Sequence, residues 1–126
     1  MKIMFRCKFK SGAWDVQGEN IFNGNINITF NDQEHRLETI GQSTGLKDVN
    51  GKVIFEGDVV NNGGLAIVKF GRFVDTKMHE QLGFYVEYID DDLLWNGSLN
   101  GNIDMLLDCE IIGNIHDNPE LLEVEL

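Results

Sequence analysis

The side chains that could ligate metals or attack electrophiles are few. The chain holds three histidines, His35, His79 and His116, and two cysteines, Cys7 and Cys109. Their separations match no zinc pattern, which needs Cys or His at short fixed spacings. A thiol–imidazole couple of Cys7 or Cys109 with His116 stays open, because such partners meet in the fold, not in the sequence. With no secretion signal in view, a reducing compartment is expected, and both thiols read as small buried hydrophobes. The stretch from Asn96 to Asp104 places oxygen-bearing side chains at positions 1, 3, 5 and 9 of a calcium-type loop, with Gly101 at position 6. Position 1 is Asn, however, and position 12 is Leu107, where a bidentate Glu is needed. A polar turn is expected there. Asp90, Asp91 and Asp92 are consecutive, so on a strand they would point to opposite faces and read better as an exposed turn. There is no glycine loop with a phosphate-binding Lys, no nucleophile elbow and no His-Glu-x-x-His. The chain is therefore expected to be non-enzymatic, with no catalytic residue, cofactor or metal.

The charge is one-sided. The chain has 126 residues with 10 Lys+Arg and 21 Asp+Glu, a net charge of −11. Residues 1–77 hold all ten basic residues and nine acids; residues 78–126 hold twelve acids and no Lys or Arg. This balance argues against a generic phosphate-backbone binder, which clusters Lys and Arg. The acidic half serves as a solubilising face or as a surface for a basic partner. Its candidate interaction residues are Asp90, Asp91, Asp92, Glu120 and Glu123. Trp14, Phe84, Tyr85, Tyr88 and Trp95 could stack bases. Arg6, Lys8 and Lys10 share one strand face and form only a small basic patch. Core or interface packing is the expected use of the aromatics, and nucleic acid is not expected as a partner. No apolar run approaches the roughly 20 residues of a membrane span. The first residues, Met1 to Arg6, break their apolar character with charge too early for a signal peptide. A cytoplasmic protein with no membrane partner is expected.

These residues must be positioned by short strands. One domain over residues 1–126 suits the length, and 14 glycines against one proline punctuate short apolar segments. Lys2–Lys10 alternates Ile3, Phe5, Cys7 and Phe9 with Arg6, Lys8 and Lys10, a strand with one wet face. Asn25–Phe30 alternates likewise, with Gln33–Ile40 as its expected hairpin partner. Asn50-Gly51 signals a type I′ turn. Further strands are expected at Lys52–Glu56, Asp58–Asn61, Leu65–Phe70, Phe84–Ile89, Leu93–Trp95 and Glu110–Ile115. Asp75–Gln81 reads as a helical insertion or a loop. Asn118 as cap and Pro119 at the first position predict a short C-terminal helix over Asn118–Leu126, held by Leu121 and Leu122. The fold class is all-β: a barrel-like domain of short antiparallel strands.

Two segments resemble the YopX family of phage and prophage proteins. Thr44 to Val60 is similar to the signature TGLKD-x-NGK-x-I-[YF]-EGD-[IV]-V. Cys109 to Leu122 is similar to the closing pattern E-[VI]-IGNI-x-[DE]-NPELL. The start, Ile3-Met4-Phe5-Arg6, departs from the family's KFRAWD, with Cys7-Lys8 in place of Ala-Trp. The resemblance implies a β-barrel with an SH3-like core, a homo-oligomer, and no assigned activity, so no functional residue is carried over. The glycines of both segments, Gly45, Gly51, Gly57 and Gly113, read as turn or bulge positions. Asp58 reads as a carboxylate that bonds nearby backbone N–H groups. The function expected is that of an oligomeric accessory module that binds a host or phage protein. The alternative is an SH3-like nucleic-acid-binding module, or an acidic nucleic-acid mimic acting on a host protein.

Overall fold

A computed structural model of the chain describes residues 3–18, 21–22, 25–26, 28–61, 64–74, 78–89, 100–102 and 109–122. Almost all regular structure is β. One antiparallel sheet runs in the order β2 (Trp14–Gln17), β1 (Phe5–Phe9), β5 (His35–Lys47), β6 (Val53–Phe55). The other runs β10 (Asn100–Asn102), β9 (Glu80–Tyr88), β8 (Leu65–Val74), β7 (Asp58–Asn61), β11 (Glu110–Asn114). A separate hairpin pairs β3 (Ile21–Phe22) with β4 (Asn25–Ile26). Among the described residues no helix is long and apolar enough to cross a membrane.

The chain passes from the first sheet to the second at Glu56-Gly57. Gly57 has φ +91°, a left-handed conformation that a Cβ would strain. Its N–H donates to the Val68 carbonyl at 2.8 Å, and its own carbonyl accepts from Ile115 N–H at 2.9 Å. One corner residue thus ties β8 to the segment after β11. Ile54, Val60, Ala66, Val68, Val86 and Cys109 form the core, with Leu46, Phe84, Tyr88 and Ile111 packed against it. Full burial of each large aliphatic side chain contributes about 1.5–3 kcal/mol.

Several expectations need correction. The described strands do not close into a barrel: they form two open sheets, and their order lends no support to an SH3-like core. The wet face of β1 is not wet. Arg6 is 9% exposed and Lys8 8%, because acids and aromatics distant in sequence cover them. Gln33–Ile40 does not pair with the strand at Asn25. It enters β5, which pairs with β1 (Phe9 opposite His35), while β4 pairs with β3. The Asn50-Gly51 turn exists, but only Gly51 takes a positive φ, +80°. Asp48 Oδ1 accepts the N–H groups of Asn50 and Lys52, each at 2.9 Å. That carboxylate sets the loop geometry and displaces the type I′ form. Of the helical insertion or loop expected at Asp75–Gln81, residues 75–77 lie outside the described residues, and Glu80 and Gln81 already belong to β9, which pairs with β8. At the C-terminus a 3-10 helix covers Pro119–Leu122, and residues 123–126 are outside the described set. Asn118 does not cap it forward. Its Oδ1 turns back to accept Asn114 N–H at 3.3 Å. The strand expected at Leu93–Trp95 and most of the loop from Asn96 to Asp104 also lie outside the described residues; Asn100–Asn102 forms β10.

Candidate functional site

Three carboxylates from the two signature segments bind the architecture together. Asp58 is 2% exposed. Its Oδ2 accepts Phe55 N–H at 2.8 Å, and its Oδ1 accepts Arg6 Nη2 at 2.6 Å. Burial pushes the Asp58 carboxyl up, with the Arg6 guanidinium and the Phe55 N–H pulling it back. The same guanidinium lies over the Trp14 ring at 4.4 Å and the Phe55 ring at 4.7 Å. Asp117 pairs with Lys8, accepts Trp14 Nε1–H at 2.9 Å and accepts Asn114 Nδ2–H at 3.0 Å. Burial opposes its ionisation, yet the bonds from Asn114, Lys8 and Trp14 hold its carboxyl down to about 2. Asp48 Oδ2 accepts Ile111 N–H at 3.0 Å and so ties the β5–β6 turn to β11. Burial works against its ionisation too, but N–H groups of Ile111, Lys52 and Asn50 outweigh it and lower the carboxyl.

A cleft of about 420 Å³ opens beside these staples. It is built from both sheets: Glu38 and Ile40 on β5, Ile67 to Phe70 on β8, and Tyr85 on β9. The Glu56-Gly57 corner, Ile115, His116 and Leu122 complete it. Ile40 is 42% exposed and Phe70 49%. Phe70 meets Phe84 edge-on at 4.9 Å. Gly57 lies at the floor, where a Cβ would make only ordinary contacts, 3.7 Å from Ile115 Cγ1 and 3.8 Å from His116 Nε2.

The electrostatics of the cleft are lopsided. Burial raises the Glu56 carboxyl, with a backbone bond from Gln42 opposing it. Burial lowers the His116 imidazole, and the nearby Arg6 and Lys8 charges reinforce that, against Asp117 and Glu38. His116 is therefore neutral at pH 7. Lys69 is ion-paired with Glu87, Arg6 with Asp58 and Lys8 with Asp117. Among the described residues, Glu38 and Glu56 have no such countercharge.

The titratable residues singled out in the sequence are dispersed. Cys7 and Cys109 are buried and form no disulfide. The Cys7 thiol donates to the Arg36 carbonyl at 3.1 Å. His35 accepts Asn31 N–H at 3.3 Å through Nδ1 and meets Asp15 Oδ2 at 2.8 Å through Nε2. Both ring nitrogens are engaged, and Phe9 stacks on the ring at 4.7 Å. That is a core histidine with satisfied polarity. His79 is exposed on the approach to β9, and only His116 reaches the cleft. Of the candidate interaction residues, Glu120 is exposed on the 3-10 helix that supplies Leu122 to the cleft rim. Asp90, Asp91, Asp92 and Glu123 lie outside the described residues. Glu38, Ile40, Lys69 and Phe70 were missed because no spacing rule links them. Glu56 sat inside a signature segment, where turn chemistry masked it, and His116 was singled out only as a possible partner of a cysteine.

The fold and cleft define a small antiparallel two-sheet β protein with a ligand-sized recess at the crossing between its sheets. The chain belongs to the YopX family: the family model, described as YopX protein, matches residues 19–123. No curated protein matches it significantly. The chain is also similar to the crystal structure of protein EF1440 from Enterococcus faecalis, at 26% identity over 94% of this chain and 75% of that one, with a TM-score of 0.42.

Proposed function

We propose that this YopX-family chain is a non-enzymatic, cytoplasmic, phage- or prophage-encoded accessory module that binds a host or phage protein and works as a homo-oligomer. One observation carries the reading. The β8–β9 ribbon runs in register from Ala66 opposite Tyr88 to Val74 opposite Glu80. Among the described residues, β7 flanks it only at Leu65–Ile67, and β10 only at Tyr85–Glu87. The rest extends as two strands with Phe70 49%, Val74 46% and Leu82 71% exposed, and Met78, just before β9, 83% exposed. A two-stranded ribbon is marginal alone in water, and contiguous exposed apolar side chains mark interaction surfaces. A second copy covering this ribbon would supply the missing packing.

The nucleic-acid alternative draws less support. Arg6 and Lys8, which form most of the β1 basic patch, are buried and neutralised within the fold. The test of the leading reading is the solution mass by light scattering at micromolar concentration. A multiple of 14.3 kDa is expected, and Leu82→Glu should lower it towards the monomer while far-UV circular dichroism still reports the folded β protein, with a lower melting temperature as the stabilising association is lost. A monomeric mass for the native chain contradicts the reading.

A further inference from the structure

The cleft between the sheets joins three features that the fold itself does not require. Its lining includes the solvent-exposed apolar side chains of Ile40 and Phe70. It carries two glutamates, Glu38 and Glu56, with no ion pair among the described residues. Lys69 lines the cleft and pairs with Glu87, and Arg6 and Lys8, which do not line it, pair with Asp58 and Asp117. An apolar recess with an uncompensated negative rim is complementary to one kind of guest, a long side chain with an aliphatic stem and a cationic head. The volume, about 420 Å³, falls in the range of sites that enclose a ligand.

We propose that this cleft receives a lysine or arginine side chain, flanked by apolar residues, from an extended segment of a partner protein. The stem lies along Ile40 and Phe70, and the charged head meets Glu38 and Glu56. Neutral His116 adds no repulsion at pH 7, and a half-buried Glu56 gains most from a countercharge, because burial disfavours its ionised form. Dockings of this kind are strengthened by removing the pair from water and weakened by salt. The inference rests on the reading of the chain as a protein-binding module, and it names the partner's chemistry.

The test is a titration of the full chain with acetyl-Leu-Arg-Leu-Arg-Leu-amide, followed by backbone amide NMR. In parallel, the same peptide is used with citrulline in place of arginine, which keeps shape and removes charge. The amides of Ile40, Gly57, Lys69 and His116 should shift with the arginine peptide. The citrulline peptide should bind at least tenfold more weakly. The double variant Glu38→Gln/Glu56→Gln should lose at least tenfold for the arginine peptide while its melting temperature holds or rises. Equal binding of the two peptides, undiminished binding by the double variant, or shifts confined to residues outside the cleft would each overturn the proposal. A native chain that is oligomeric by light scattering but shows no cleft shifts refutes the cleft alone. A monomer that shows them refutes the oligomer alone.

Discussion

Arg6 and Asp58 form a buried ion pair whose two halves differ in how they tolerate isolation. A carboxylate left alone can take up a proton, whereas a guanidinium cannot shed one. Asp58 also satisfies the Phe55 N–H, so Asp58→Ala orphans two buried donors at once. We expect Asp58→Ala to cost about 3–5 kcal/mol of stability, and Arg6→Met distinctly less, measured by urea unfolding. The reverse order would show that the stacking of Arg6 on Trp14 and Phe55 matters more than its charge. Asp117 makes a pH prediction. Its carboxyl falls from an ordinary 3.8 to about 2 in the fold, so it adds stability that is present above pH 3.8 and disappears as the pH falls towards 2. Asp48 is lowered too and titrates in the same direction. Asp117→Asn should therefore flatten the acid limb of the unfolding profile only in part. An unchanged limb would place the acid sensitivity elsewhere.

The corner between β6 and β7 and the bulge in β11 use glycine for different reasons. At Gly57 a Cβ finds only ordinary contacts, and the difficulty is φ +91°. At Gly113, where the register with β7 shifts, φ is unremarkable but a Cβ would collide with the Asn118 side chain. Gly57→Ala should cost about 1–2 kcal/mol from the left-handed backbone, and trimming Ile115 to Ala should recover none of it. Gly113→Ala should be destabilising yet largely rescued by Asn118→Ala, since the obstruction leaves with that side chain. A double-mutant cycle in thermal unfolding separates the two cases, and additivity at Gly113 would refute the collision.

At the scale of the whole molecule, among the described residues the β8–β9 ribbon extends beyond the strands that flank it, β7 at Leu65–Ile67 and β10 at Tyr85–Glu87. Ribbon and cleft share Phe70, which lines the cleft and heads the exposed apolar row. Self-association and partner capture would thus lie side by side, and the oligomer disrupted by Leu82→Glu should still present the cleft. The acidity of residues 78–126 has a defined part in this arrangement. Asp117 neutralises Lys8 and Glu87 neutralises Lys69, so some of the excess acid is consumed by the basic residues of the first 77 positions. Glu38 and Glu56, which carry the cleft's negative rim, belong to the near-neutral part of the chain. Overall charge left a solubilising face and a surface for a basic partner both open, and it did not point to this cleft.

Period-two alternation and turn glycines made the β class legible before any coordinates. The segments Thr44–Val60 and Cys109–Leu122 carried the family, and the left-handed φ of Gly45, in the bulged part of β5, and of Gly51 and Gly57 agrees with their reading as turn or bulge positions. Those signals are local: a strand's alternation and a glycine's freedom need only a few neighbouring residues. The fate of Arg6 and Lys8 was not legible. Alternation assigned them to solvent, but Asp58 and Asp117 arrive from far along the chain to neutralise them, and Trp14 on the neighbouring strand covers them. The closed barrel failed for a related reason, because strand order depends on which distant edges pair. The cleft is likewise a property of two sheets meeting at Gly57. Only the tertiary structure decides which charges are neutralised internally and which remain for a partner, since Coulomb energy and burial follow distance in space and not position in sequence.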